Sequence, residues 1–206
     1  MPELRFRFVK EGRAAYLSHL DVMRTFQRAF IRAGMRVRHS EGFNPHPKMS
    51  IAMPLQLGCE SRCEMLDVSL LESPENAPER LNAALPEGIR ILSQSLPEMP
   101  VKFIAWTEWE LRFASESDAE NAAEALKRES LPVEKKTKRG FGTLDIAPHI
   151  AVLDLTGNTL AVRLKAFEPT VNCTDVQRAI SALYPEQKPF RALRTSLKTA
   201  ELKEFR

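Results

Sequence analysis

The sequence predicts an α+β chain built from two tandem ferredoxin-like (βαββαβ) halves, residues 1–97 and 101–206. Three observations carry that expectation. Apolar patterns of strand period and helix period succeed one another as β-α-β-β-α-β up to Leu96. Pro97-Glu98-Met99-Pro100 then interrupts them as a short linker. After it a similar order begins again. The second half carries one strand too many for a clean repeat, or a broken one, so a single larger α+β domain stays open as the alternative.

Each element has a local reason. Leu4, Phe6 and Phe8 alternate with Arg5 and Arg7, the pattern of a half-buried strand over 3–9, and Gly12 breaks it. Ser18 followed by Asp21 resembles a capping box with Asp in the place of Glu. A helix therefore starts there and runs to Gly34, whose missing Cβ suits a helix stop. Within it Leu20, Met23, Phe26, Phe30 and Ala33 recur at helical spacing and predict the face that packs on a sheet. A polar loop over 40–48 leads to strands near 49–56 and 63–71, with Gly58 to Arg62 as the turn between them. Ser73-Pro74-Glu75 opens a second helix ending near Leu85, and a strand follows from Ile89 to Leu96.

In the second half a strand covers 104–113 and an Ala/Glu-rich helix covers 116–129. Strands follow near 143–147, 150–155 and 159–166. Thr174-Asp175 then opens a helix over 174–184, and an extended piece near 190–197 closes the set.

Composition excludes several classes. With 43% hydrophobic and 28% charged residues the chain is neither disordered, collagen-like nor coiled-coil. Residues 1–8 alternate polar and apolar side chains and lack the apolar core of a signal peptide. No apolar run approaches the roughly 18–20 residues that span a bilayer, so a cytoplasmic location without membrane contact is expected. Cys59, Cys63 and Cys173 are an odd number, which argues against a disulfide framework.

Charge is unevenly spread. Residues 1–50 hold ten bases against four acids, a net +6, and the rest of the chain carries −3 of the overall +3. A second basic run lies at Lys135-Lys136-Thr137-Lys138-Arg139. Such surfaces suit a polyanion, since each phosphate contact releases counterions; they also simply keep a protein soluble.

The stretch from Tyr16 to Ser50 is the most informative. Arg24, Arg28 and Arg32 stand at successive i+4 positions and form one stripe on the helix. That stripe is either the solvated back of an amphipathic helix or a row of guanidiniums tracking phosphates. In Gly42-Phe43-Asn44-Pro45-His46-Pro47-Lys48 two prolines stiffen the loop. Phe43 could stack a base there, Asn44 and His46 could add polar contacts, and Lys48 could hold a phosphate. The alternative has Phe43 plugging the core and Asn44 capping a turn. Arg139-Gly140-Phe141-Gly142 matches the first four positions of the RNA-recognition-motif RNP1 signature and then departs from it at Thr143 and Ile146. A basic hairpin tip explains it equally, yet Phe141 between bases suits an RNA contact.

Catalytic and cofactor signals are thin. His46 and His19 are candidates for a general base acting on an RNA 2′-hydroxyl, with no acid partner in view. His19 and Asp21 lie two apart on a helix start and face different ways, so no metal site is expected. Cys59 and Cys63 form a lone C-x₃-C without the third cysteine of a cluster site, because position 66 is Leu. No cofactor is implied.

Tyr16-Leu17-Ser18-His19-Leu20-Asp21, Arg24, Arg32-Ala33-Gly34, Ser40 through Lys48, and Ser50 together resemble the radical SAM-linked proteins. That uncharacterised family is encoded beside, or fused with, a radical SAM enzyme. The resemblance covers residues 3–72 and extends more weakly to Leu144-Asp145-Ile146-Ala147-Pro148; Cys59 and Cys63 are not part of it. It implies a radical SAM partner with a cobalamin-binding region and gene neighbours among ribonucleases and ribosomal proteins. The tandem layout is also similar to the repeat-associated RNA-binding proteins of CRISPR systems. The expectation is an RNA-binding accessory module that presents rRNA or tRNA to that partner. A metal-independent endoribonuclease and a protein–protein adaptor are the alternatives.

Overall fold

The computed structural model describes residues 3–72, 74–137 and 140–206. The chain divides into two compact units, the first running to Val101 and including Arg206, the second running Lys102–Phe205.

The first unit contains β1 (Glu3–Lys10), α1 (His19–Arg32), β2 (Met49–Ile51), β3 (Glu60–Ser69), α2 (Ala77–Ala84) and β4 (Ile89–Ser95). Its sheet runs β4-β1-β3-β2 with every pairing antiparallel. That order makes it ferredoxin-like. Leu4, Phe6 and Phe8 of β1 point to one face with Leu66 and Val68 of β3. Val22, Phe26, Ala29 and Phe30 of α1 and Leu81 of α2 cover that face. The Phe8 and Phe26 rings meet edge-to-face at 4.9 Å, a geometry worth about 1 kcal/mol beyond area burial. Gly88, at φ +87°, closes the turn into β4; a Cβ there would stand 2.5 Å from the Glu11 carbonyl oxygen.

The second unit repeats the plan with β5 (Trp106–Arg112), α3 (Glu116–Leu126), β6 (Pro132–Thr137), β7 (Gly140–Asp145), β8 (Ile150–Thr156), β9 (Thr159–Lys165), α4 (Cys173–Leu183) and β10 (Arg191–Lys198). Its sheet runs β10-β5-β9-β8, again antiparallel. The surplus strand has a simple cause. β6 and β7 form a separate hairpin inserted between α3 and β8. Sequence periodicity misses β6 because Glu134-Lys135-Lys136-Thr137 shows no alternation, and a two-stranded ribbon outside the main sheet needs little.

Several boundaries differ from expectation. β2 is only three residues long, because Pro54 has no N–H to continue the ladder. β3 begins at Glu60, so the turn is confined to the residues around Gly58 (φ +83°). α2 starts after Asn76, and Ser73 lies outside the described residues. α4 starts at Cys173 because Asn172, not Thr174, caps it: Asn172 accepts from the Asp175 N–H and Asp175 accepts from the Asn172 N–H.

Candidate nucleic-acid interface on the first half

α1 is fixed at both ends. The Ser18 hydroxyl accepts the Asp21 N–H at 3.2 Å and donates to the Asp21 carboxylate at 2.6 Å. That hydroxyl, helped by the Arg24 guanidinium, holds the Asp21 carboxyl below its ordinary pKa. At the other end Gly34 takes φ +65°, with Gly34 N–H bonded to Ile31 O and Met35 N–H to Phe30 O. This pair of bonds is a Schellman stop, and it turns the chain back along the helix.

The apolar side of α1 is Val22, Phe26, Ala29 and Phe30, with Met23 and Ala33 at its margin. Leu20 does not belong to it and is 63% exposed. The reason is angular: at about 100° per residue, Leu20 lies nearly opposite Val22 and almost in line with Ile31. Leu20, Arg24, Gln27, Arg28 and Ile31 therefore share an outward face, on which Ile31 is 76% exposed.

Arg24, Arg28 and Arg32 are all exposed. They are not equally free. Arg24 stands 3.6 Å from Asp21, and Arg32 donates to the Ala84 carbonyl at the end of α2 at 2.6 Å. Arg28 makes no hydrogen bond or ion pair among the described residues. Further on, Arg36 pairs with Glu72, and Arg38 lies 3.8 Å from Glu41. Such exposed pairs contribute little and yield readily to a phosphate. Two bases counted toward the surface in the sequence are not on it. Arg5, 2% exposed, binds Asp67 at 2.7 Å and the Met99 carbonyl, and Lys10, also 2% exposed, donates to the carbonyls of Ala15 and Leu17.

The loop is stiff at its base and bare at its tip. Arg38 N–H bonds to Ser69 O, Lys48 N–H to Arg38 O, and Ser40 N–H to His46 O. The Ser40 hydroxyl also accepts the His46 N–H. Beyond these bonds Phe43 projects fully into solvent, flanked by exposed Asn44 and His46. The core-plug alternative is excluded.

The loop base and α1 together enclose a groove of about 560 Å³. Gln27 and Ile31 form one wall, Val37, His39 and Pro47 the other, and Phe30 lies in the floor. Lys48 is not in it. It lines a smaller recess of about 340 Å³ with Glu3, Ser50 and Asp67, so the loop's lysine faces away from the groove that Gln27 and Ile31 line. His19 and His46 are exposed, and neither imidazole makes a hydrogen bond or ion pair among the described residues. The described residues hold no group of three or more His, Cys, Asp or Glu side chains placed to bind a metal ion.

In the second half Lys135 is engaged with the protein itself. Its ammonium lies 2.9 Å from buried Asp175 and donates to the Thr170 carbonyl, tying the hairpin to the start of α4. Lys136 pairs through its backbone with Phe141, and Lys138 and Arg139 lie outside the described residues. Phe141 is 72% exposed. It belongs to the separate hairpin, whereas RNP1 aromatics stand on the main four-stranded sheet, so the partial signature does not mark an RNA-recognition motif. Asp145 is structural too: its carboxylate accepts from the Leu131 N–H, the Ser130 hydroxyl and the Ala147 N–H. Those bonds, the Leu131 N–H foremost, lower its pKa.

Gln27, Ile31 and His39 escape a reading of the sequence for their groove role. One signal was available. Leu20 and Ile31 are apolar residues out of phase with the core stripe, on the same face as the arginines.

The fold and site define a tandem ferredoxin-like α+β protein whose first half carries a basic helix face beside an aromatic-tipped loop. The chain belongs to DUF2344, described as an uncharacterized protein conserved in bacteria; that family's model matches residues 3–181. No curated protein matches the sequence. Among solved structures it is similar to a chain of a Cbf5-Nop10-Gar1 complex, at 13% identity and TM-score 0.47, over 98% of this chain and 50% of that one. The chain thus spans half the length of that neighbour. A second similar structure, assigned as a glycine cleavage system transcriptional repressor, has 13% identity and TM-score 0.26, over 93% of this chain and 97% of that one. No helix among the described residues is long and apolar enough to cross a membrane.

Proposed function

We propose that the chain is an RNA-binding accessory module that presents a structured RNA, rRNA or tRNA, to a partner radical SAM enzyme. One observation carries the RNA contact: an exposed guanidinium stripe on α1 beside a loop whose base is fixed by hydrogen bonds and whose phenylalanine is fully in solvent. A large aromatic with no packing partner is costly to leave in water and useful for stacking on a base. Guanidiniums bound only by exposed carboxylates or a carbonyl exchange those partners for phosphate at little cost. The radical SAM partner rests on the family resemblance alone, which covers residues 3–72 and extends more weakly to 144–148.

Gel-shift or anisotropy titration of the whole chain with structured RNA across a salt series tests the reading. Binding should weaken with salt at a logarithmic slope of about −2 or steeper, as expected for three phosphate contacts. A flat salt response, or no binding at low salt, removes it. The same preparation in EDTA, with His46→Ala and His19→Ala beside it, tests the nuclease alternative, which requires RNA cut by the wild type alone. Co-purification with the partner enzyme that survives high salt but is lost in Phe43→Ala favours the adaptor alternative.

A further inference from the structure

We infer that the groove between α1 and the 36–48 loop receives a single unpaired RNA base from a strand whose phosphates lie along Arg24, Arg28 and Arg32; this rests on the RNA-contact reading above and deepens it. The groove is an odd feature for a solvated surface. Its floor is apolar through Phe30, yet it stays open, with Ile31 left 76% exposed at its lip. Its volume of about 560 Å³ lies within the usual range for small-ligand sites, roughly 300–1,000 Å³, which accommodates a base and its ribose.

The polar groups at its walls suit a base edge. The Gln27 amide makes no hydrogen bond among the described residues, so both its donor and its acceptor are available. Across the groove His39 Nδ1 lies 3.1 Å from the Val37 carbonyl. That contact requires Nδ1–H, and in the neutral ring it leaves Nε2 as an acceptor. A glutamine amide pairs with the N6/N7 edge of adenine in a bidentate way, so adenine is the base that fits best. Charge decides the occupant. Arg28 follows Gln27 on α1 and lacks a partner among the described residues, Arg24 shares the same outward face one turn earlier, and Arg32, one turn later, is held only by the Ala84 carbonyl. A strand that inserts a base at Gln27 and Ile31 thus meets cations with its flanking phosphates.

Fluorescence anisotropy of the whole chain separates the possibilities, using an eight-nucleotide oligoadenylate and an abasic ribose-phosphate oligomer of equal length at one salt concentration. The oligoadenylate should bind about tenfold more tightly or better. A Gln27→Ala/Ile31→Ser variant, both positions lying on the outer face of α1, should reduce it to the abasic level while abasic binding stays as in the wild type. Equal binding of the two oligomers by the wild type, or a preference that survives in the variant, overturns the base groove and leaves the phosphate contact standing. If neither oligomer nor structured RNA binds, the RNA-contact reading falls and the groove inference with it. Binding of an acidic, leucine-bearing decapeptide that is lost in the variant, with both oligomers unbound, assigns the groove to a protein partner and overturns the inference.

Discussion

The two halves thread their strands in the same order and insert their main elaboration in the same topological place, between the first helix and the second strand of the repeat. In the first half this is the 33–48 loop, which carries exposed Phe43; in the second it is the β6–β7 hairpin, which carries exposed Phe141 on β7. The preceding helices differ in a telling way. α1 shows Arg24, Arg28 and Arg32 to solvent, and α3 shows Glu116, Glu120 and Glu124 at the same spacing. Each stripe carries like charges at i+4, which costs a helix a few tenths of a kcal/mol per pair. The fold asks only that the back of this helix be solvated. Its sign is a free choice, and the sign is therefore where functional information resides.

Giving α1 the charges of α3 is the strongest way to break that contrast. Arg24→Glu, Arg28→Glu and Arg32→Glu together should lower RNA affinity about 100-fold and flatten the salt slope by about one unit per lost contact. The melting temperature should change little. Glu116→Arg, Glu120→Arg and Glu124→Arg should not create comparable binding. RNA affinity unchanged in the first variant would show that the stripe is solvation alone.

The two insertions can be separated by their lysines. Lys135→Ala leaves the 2%-exposed Asp175 without its cation. Asp175 keeps its Asn172 N–H, and Lys135 is partly solvated, so the loss should be about 2 kcal/mol in denaturant unfolding, below the 3–5 kcal/mol of a fully buried pair. Lys48→Ala, at an exposed position, should stay within about 0.5 kcal/mol. A smaller effect follows at the exposed aromatics. Phe43→Ala should cost about 1 kcal/mol of RNA affinity, near fivefold, with no loss of stability. Phe141→Ala tests whether the exposed aromatic of β7 shares that role.

Much of the fold was legible because the core obeys periodicity. Phe6, Phe8, Phe26 and Phe30 stand where alternation and helical spacing place them, and Ser18 and Gly34 mark the ends of α1 through local hydrogen bonding. What stayed hidden depends on long-range pairing. Nothing near Lys135 in sequence says that Asp175 will bury its charge, nor near Arg5 that Asp67 will. Loop geometry was equally silent on Lys48, which extended backbone turns away from the groove that Pro47 lines. The groove itself joins residues from α1 and from a loop after it. Only the out-of-phase Leu20 and Ile31 hinted at it.

The smallest expected effect concerns how each half anchors its insertion. The second half uses Asp145, whose pKa is lowered by the Leu131 N–H, then the Ser130 hydroxyl and the Ala147 N–H. A carboxyl depressed in the folded state stabilises fully above its unfolded pKa of about 3.9 and loses that contribution as pH falls through the lower folded value. Asp21 of α1 and Glu201 are depressed as well, so they titrate in the same acidic window. The difference between wild type and Asp145→Asn removes their share. At pH 7 the variant should melt below the wild type, and the gap should narrow steadily once pH drops under about 4. A gap that stays constant down to pH 2.5 would mean that shape and hydrogen bonding hold the hairpin there, and that the negative charge on Asp145 contributes nothing.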